Sequence, residues 1–115
     1  MGLDGLVHQK TGELSWGQQK LVSVACALSQ THSGVVLLDE PCSGVNDQVL
    51  KRIAGLIVKS AQEGRAVVVV EHNLRFVRKV STRTVVMESG RVEFAGETQS
   101  VFGTLKQLRP YLGPS

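Results

Sequence analysis

The sequence predicts an α/β fold in which parallel strands alternate with helices, followed by a C-terminal β-hairpin and a final helix. The first indication is a pair of short apolar runs, VVLL and VVVV, which are typical of parallel strands covered on both faces. The second is the helical repeat between them, because a strand, a helix and a strand in this order form a right-handed crossover unit. With 115 residues, of which 42% are hydrophobic, the chain suffices for one small domain.

The first predicted element is a helix that follows the polar stretch ELSWGQQK. Ser15 stands at the expected N-cap, and the helix is predicted to end near Ser33 and Gly34. The apolar positions with helical spacing are Leu21, Val24, Ala25 and Leu28.

Two strands and the helix that joins them come next. The strands are predicted at 35–38 and 67–70, and the connecting helix is predicted to end at Gly64. The apolar positions of this helix are Leu50, Ile53, Ala54, Ile57 and Ala61.

The remaining elements complete the chain without a repeat or a linker. A short helix is predicted at 73–79, and strands at 83–87 and 92–95 flank the turn ESGR of a hairpin. A last helix is predicted at 97–108, after which Pro110 and Pro114 end the ordered structure.

Composition argues against several classes of protein. The 13 basic and 10 acidic residues give a net charge of +3 and are mixed along the chain, which does not favour nucleic-acid binding. The apolar runs are too short for a membrane span, and no signal-peptide pattern opens the chain. Cys26 and Cys42 lack the spacing of a metal site. We therefore expect a cytoplasmic protein without direct membrane insertion.

Acidic residues and a histidine terminate the two apolar strands. Asp39 is suited to anchoring Mg²⁺, an ion that keeps several waters and takes few protein carboxylates. Glu40 could orient or deprotonate a water, and His72 could donate a hydrogen bond to a phosphate oxygen. Taken alone, the acidic pair is better explained as a solvated strand end, and His72 as a surface or capping histidine.

The start of the first helix has an arrangement that binds phosphate. The backbone N–H groups of Gly17 and Gln18 are predicted to be free and to present their partial positive charge outward, with Ser15 as the cap. Taken alone, an ordinary N-cap explains this stretch as well.

Four motifs, in matching order and spacing, resemble those of the ATP-binding cassette (ABC) family, the ATPase subunits of ABC transporters. LSWGQQK resembles the LSGGQ signature, VVLLDEP the Walker B strand, SGVND the D-loop, and VVVVEHN the H-loop strand with its switch histidine. The resemblance implies a P-loop NTPase-like α/β domain of the ABC ATPase type, which binds ATP and Mg²⁺.

The resemblance also implies roles for individual residues. Asp39 would bind Mg²⁺, Glu40 would activate water, and His72 would contact the γ-phosphate. The residues implied to bind nucleotide, with the signature acting across a subunit interface, are Ser15, Trp16, Gly17, Gln18, Ser43 and Asn46.

The chain departs from the family pattern at three residues and lacks two of the family's motifs. Trp16 replaces the first glycine of LSGGQ, Cys26 stands where arginine is common, and Asn46 stands where many members have aspartate. The P-loop (Walker A) pattern G-x-x-x-x-G-K-[S/T] and the early glutamine loop (Q-loop) are absent from the sequence. We therefore expect residues 1–115 to form a single partial nucleotide-binding domain, equivalent to a C-terminal half.

Further similarity points to one branch of the family. The aromatic residue after LS, the doubled glutamine, the SGVN turn and the EHNLRFV run resemble the branched-chain amino-acid and urea uptake branch. In the complete protein, ATP hydrolysis would then drive solute uptake, with a homodimer or another ABC ATPase subunit and a membrane permease as partners.

Two alternatives accompany this expectation. The chain could be a non-catalytic interaction module that pairs with intact ABC ATPase subunits. An ABC-type ATPase of chromosome or repair machinery is disfavoured, because residues 1–12 show no heptad segment.

The chain alone is expected to lack ATPase activity. It is also expected to form a homo-oligomer, because a partial domain leaves apolar sheet surface bare.

Overall fold

A computed structural model describes residues 15–30 and 34–107 and confirms the predicted α/β class. Its elements in chain order are α1 (Trp16–Leu28), β1 (Val35–Asp39), α2 (Asp47–Gln62), β2 (Ala66–Val70), α3 (Leu74–Val80), β3 (Arg83–Glu88), β4 (Arg91–Glu97) and α4 (Thr98–Gln107). The chain divides into two compact units between His72 and Asn73. None of the helices in the described part combines the length and hydropathy that a membrane span requires.

Helix α1 ends earlier than the sequence predicted. Its C-cap is Ser29, whose backbone N–H donates to carbonyls of the last turn and whose hydroxyl donates to the Cys26 carbonyl at 2.8 Å. Because this serine satisfies the last turn, the helix stops at Leu28 and not near Ser33 and Gly34. Ser33 itself lies outside the described residues.

Strands β1 and β2 form a two-stranded parallel sheet, as the crossover pattern predicted. Their register pairs Val36 with Val67 and Leu38 with Val69. The connecting helix α2 is followed by Gly64, whose φ of 98° is a left-handed conformation that glycine adopts without steric cost.

The helices of the first unit cover one face of the β1–β2 sheet. Val36 and Leu38 are buried on that face, in a core that also contains Leu21, Ile53 and Ile57. Four apolar side chains on the opposite face remain exposed, namely Val35 at 60%, Leu37 at 67%, Val68 at 48% and Val70 at 52%. The sequence predicted strands suited to cover on both faces, and it also led us to expect apolar sheet surface left bare in a partial domain. Within the described residues of this unit the helices cover one face only, in agreement with the second expectation.

The second unit is built on the predicted hairpin. Strands β3 and β4 pair antiparallel, with a register shift at Val86 and Met87. The turn between them contains Ser89 and Gly90, whose positive φ values of 51° and 76° suit a tight two-residue hairpin turn. The last helix occupies most of the predicted 97–108 range, and Leu108, Pro110 and Pro114 lie outside the described residues.

Three hydroxyl groups connect α3, β3 and α4 within this unit. Ser81 Oγ lies 3.1 Å from Thr84 Oγ1 and 2.9 Å from Thr98 Oγ1, and the two threonine oxygens are 2.9 Å apart. Ser81 Oγ also donates to the Val77 carbonyl at 2.6 Å. The buried Thr98, 5% exposed, therefore begins α4 with its hydroxyl in polar contact.

Candidate functional site

The carboxyl ends of β1 and β2 lie side by side, because the parallel register pairs Asp39 with Val70. The next residue, Glu40, continues this pairing, since its backbone N–H donates to the Val70 carbonyl at 2.7 Å. Glu71 and His72 follow the second strand directly. The topology therefore brings the predicted residues of both strands to one edge, where α/β sheets bind ligands.

Glu40 and His72 are in direct contact at this edge. Nδ1 of His72 lies 3.1 Å from Oε1 of Glu40, and the two side chains are 81% and 51% exposed. A contact this exposed adds little to folding stability, so its main effect is on orientation. If Nδ1 donates to the carboxylate, Nε2 remains for a second hydrogen bond, as acceptor or donor according to protonation.

The backbone of Glu40 is strained. Its φ of 49° is left-handed, a conformation that costs a non-glycine residue about 1 kcal/mol or more. Two hydrogen bonds hold it: its N–H donates to Val70, and its carbonyl accepts the Ser43 N–H at 3.2 Å. Strain maintained in this way at a polar strand end is typical of functional sites.

Asp39 ends β1 as an exposed residue. Over residues 15–30 and 34–107, no three histidine, cysteine, aspartate or glutamate side chains gather into a group that could hold a metal ion. A single exposed carboxylate fits Mg²⁺, which is bound through one or two carboxylates, waters and substrate phosphates. It does not fit a structural zinc site, which needs four protein ligands.

Glu71 is a contact residue to which sequence reasoning gave no role. Its Oε1 accepts the Cys42 backbone N–H at 3.3 Å, which connects the loop after β1 to the end of β2. Burial raises the pKa of the Cys42 thiol from 9.0 to about 12, and the charge and hydrogen bond of Glu71 add to this effect. The thiol is therefore protonated and unreactive at neutral pH. Parallel register was the signal that could have indicated this contact, since it places the residues after the two strands together.

The segment 41–46 contains two predicted nucleotide-binding residues, Ser43 and Asn46. Asn46 is the N-cap of α2, and its Oδ1 accepts the Val49 N–H at 3.0 Å. Aspartate is an equally good N-cap, so the departure from the family pattern at this position leaves the local structure intact.

The start of α1 forms a capping box around the predicted N-cap, Ser15. Ser15 N–H donates to Gln18 Oε1 at 3.0 Å, and Gln18 N–H donates to Ser15 Oγ at 3.2 Å. The prediction of a free N–H at Gln18 was therefore wrong, because the serine hydroxyl accepts it. The capacity of this helix start to bind phosphate depends on the other N–H groups of its first turn, including that of Gly17.

Trp16 joins the start of α1 to the segment 41–46. Its Nε1–H donates to the Ser43 carbonyl at 3.1 Å. Its ring also lies against Gly44, where a Cβ atom would be only 2.6 Å from Nε1. The structure therefore connects two predicted site segments through one side chain.

No family-level sequence model matches the chain, but individual proteins do. Nopaline permease ATP-binding protein P of Agrobacterium fabrum is 41% identical over 90 residues, which are 78% of this chain and 35% of that protein. The histidine/lysine/arginine/ornithine transport ATP-binding protein HisP of Salmonella typhimurium is 37% identical over 96 residues, 84% of this chain and 37% of that protein. A phosphonates import ATP-binding protein of Nostoc sp. is 34% identical over 105 residues, 88% of this chain and 41% of that protein. The chain thus spans less than half the length of these relatives.

Solved structures agree with these sequence matches. A nucleotide-free ATP-binding cassette from an ABC transporter has a TM-score of 0.80 and 28% identity, covering 98% of this chain and 46% of that chain. An ATP-binding cassette in its ADP conformation has a TM-score of 0.79 and 30% identity, with the same coverage of 98% and 46%. A dimeric cassette bound to ADP and Pi has a TM-score of 0.69 and 28% identity, covering 83% and 40%. These similarities confirm the predicted ABC ATPase fold class.

Proposed function

We propose that this chain, which is homologous to part of the ATP-binding subunits of ABC transporters, supplies the signature, Walker B, D-loop and H-loop segments of an ATP-hydrolysing subunit. In the complete protein, ATP hydrolysis drives the uptake of a solute. The observation that carries the proposal is the 3.1 Å contact between Glu40 and His72, beside Asp39, at one edge of the parallel sheet. Residues 1–115 would then be one partial nucleotide-binding domain.

Asp39 is the proposed ligand of Mg²⁺. Its exposed carboxylate at the end of β1 leaves room for the waters and phosphate oxygens that complete the coordination of this ion. When bound, Mg²⁺ neutralises negative charge on the phosphate oxygens during phosphoryl transfer.

Glu40 and His72 are the proposed catalytic residues. The Glu40 carboxylate can accept a proton from an attacking water, and contact with His72 restricts the directions in which it can rotate. In its doubly protonated form, His72 can donate from Nδ1 to Glu40 and from Nε2 to a phosphate oxygen at the same time. The pair therefore orients a water and a phosphate relative to each other, which is the main requirement of phosphoryl transfer.

The start of α1 is proposed to bind phosphate of a nucleotide held mainly by a second subunit. The first-turn N–H groups and the helix dipole attract anions. The capping box formed by Ser15 and Gln18 fixes the backbone of this turn and so the direction in which its N–H groups point. The dimeric cassette structure supports a partner of the same kind. Ser43 and Asn46 are the proposed nucleotide-contacting residues of the D-loop.

The solute is proposed to be an amino acid or a related compound, because one of the similar proteins is named for a nopaline permease and another for histidine/lysine/arginine/ornithine transport. We further propose that the chain belongs to the branched-chain amino-acid or urea uptake branch. This proposal depends on the aromatic residue and doubled glutamine of LSWGQQK, on the SGVN turn and on the EHNLRFV run. A cytoplasmic location and a permease partner follow from the same proposal.

The test is phosphate release by the chain co-folded with the P-loop-bearing N-terminal half of a homologous ATP-binding subunit, in the presence of Mg-ATP. Glu40→Gln keeps the shape of the side chain but removes its basicity, and should lower the hydrolysis rate about 100-fold or more while nucleotide binding persists. Glu93→Gln, an exposed glutamate of β4, is the matched control and should leave the rate unchanged. Equal hydrolysis by Glu40→Gln and the parent would refute the proposal.

A further inference from the structure

Trp16 makes contacts that nucleotide binding does not explain. The donor of its indole ring, Nε1–H, is bonded to the Ser43 carbonyl at 3.1 Å, 27 positions along the chain. The same edge of the ring lies against Gly44, since a Cβ added to that glycine would be 2.6 Å from Nε1 and 3.1 Å from Cδ1. The polar edge of the indole is therefore occupied by this chain's own backbone.

The carbonyl that Trp16 holds belongs to a turn that begins at Glu40. The Ser43 N–H donates to the Glu40 carbonyl at 3.2 Å and closes this turn. Glu40 enters it with the strained φ of 49°, and its carboxylate reaches His72. A fixed position of Ser43 thus limits the positions available to Glu40.

Close packing between the start of α1 and the start of α2 supports the same connection. A Cβ at Gly17 would lie 3.1 Å from Val49 Cγ2, so the two helices approach closely beside the indole. Gly44 has a φ of 73°, and the absence of a side chain there lets the ring approach. The hydrogen bond and this packing are independent observations that point to one attachment.

We propose that Trp16 is a positioning residue that fixes the Glu40–Ser43 turn, and through it the Glu40 carboxylate beside His72, to the start of α1. The effect of Trp16 on catalysis rests on the proposed function, whereas its attachment to the Glu40–Ser43 turn through the Ser43 carbonyl does not. An aromatic residue with a ring N–H thus has a structural task at the place where the signature pattern has glycine. A movement of the α1 start would be transmitted to Glu40 through two successive hydrogen bonds, from Trp16 to the Ser43 carbonyl and from the Ser43 N–H to the Glu40 carbonyl.

The first experiment measures the attachment in the 115-residue chain by amide hydrogen exchange. Trp16→Phe keeps a ring against Gly44 but removes the N–H donor, and it should accelerate exchange of the Ser43 amide about 3- to 10-fold, the effect of one lost hydrogen bond. The Thr98 amide, bonded to the Thr82 carbonyl in the second unit at 3.0 Å, should be unaffected. Val92→Ala, at an exposed site, is the matched control variant.

The chain contains one tryptophan, so a single indole N–H resonance reports directly on the contact. Gly44→Ala should shift this resonance and accelerate its exchange, because the added Cβ displaces the ring. An indole N–H that exchanges as fast as in free tryptophan, together with an unchanged Ser43 amide in Trp16→Phe, would overturn the proposal.

The second experiment measures ATP hydrolysis in the co-folded domain. Trp16→Phe should lower kcat several-fold and leave KM for ATP unchanged, because the indole orients Glu40 and does not hold nucleotide. A raised KM with an unchanged kcat would show direct nucleotide contact and overturn the positioning role. If the co-folded parent does not hydrolyse ATP, the proposed function fails, while the exchange measurements still decide whether the attachment exists.

Discussion

Raising the pH above 9 is predicted to destabilise the first unit through Cys42. In the folded chain, burial first, and then the charge and hydrogen bond of Glu71, raise the pKa of this thiol from 9.0 to about 12. The folded state therefore holds the thiol proton more tightly than the unfolded chain does. The resulting stabilisation is fully present below pH 9 and is lost as the pH rises towards 12.

The size of the effect follows from the two pKa values. At pH 10 about nine-tenths of the unfolded thiols are ionised while the folded thiol stays protonated, which lowers the free energy of unfolding by about 1.4 kcal/mol relative to pH 8. This figure is insensitive to the folded pKa, because any value of 11 or above leaves the folded thiol protonated at pH 10.

Urea unfolding at pH 8 and pH 10, under reducing conditions, measures the effect. Cys42→Ala loses the same packing energy at both pH values. The difference between parent and variant in the change of unfolding free energy from pH 8 to pH 10 therefore reports on the thiol proton alone. This variant should lose about 1.4 kcal/mol less than the parent over the interval, whereas Cys26→Ala, at an exposed position, should behave like the parent. An identical pH dependence in Cys42→Ala and the parent would show that the thiol proton has no such role.

Three further predictions concern the cap, the isolated chain and the bare sheet face. Ser15→Ala should lower the free energy of unfolding by about 1 kcal/mol through loss of the N-cap, and Ser23→Ala, an exposed serine inside α1, should not; equal losses would contradict the capping role. The isolated chain should release no phosphate from Mg-ATP, because its sequence contains no P-loop; turnover abolished specifically by Glu40→Gln would disprove this. The apolar face of the β1–β2 sheet should produce a homo-oligomer by light scattering, dissociated by Leu37→Glu; a folded monomer at all concentrations would count against it.

Sequence periodicity and strand order were sufficient for the fold class and for part of the candidate site. The helical spacing of Ile53, Ala54 and Ile57 identified α2, since those residues form its buried stripe. The proximity of Glu40 and His72 followed from topology alone, because parallel strands bring their carboxyl ends to one edge.

What the sequence did not predict depends on individual side chains and on burial. The end of α1 depends on the backbone N–H and hydroxyl of Ser29, which donate to carbonyls of the last turn; several polar residues follow Leu28, so the apolar pattern does not mark which of them caps the helix. The contacts of Glu71 with Cys42 and of Trp16 with Ser43 join positions far apart in sequence, so no local pattern encodes them. The continuous apolar character of β1 led us to expect a bare apolar surface in a partial domain, but hydrophobicity alone does not specify which of the two faces is covered by the helices.

The hydroxyl cluster of the second unit contains more short contacts than it has protons. Ser81, Thr84 and Thr98 contribute one hydroxyl proton each, yet four contacts, including that to the Val77 carbonyl, lie between 2.6 and 3.1 Å. When Ser81 donates to Val77, both threonines can donate to Ser81, and their own 2.9 Å contact then contains no proton. The cluster is therefore rich in acceptors and short of one donor. Deleting one threonine hydroxyl removes a surplus acceptor together with a hydrogen bond, whereas deleting the serine hydroxyl removes the common acceptor of both threonines and the bond to α3.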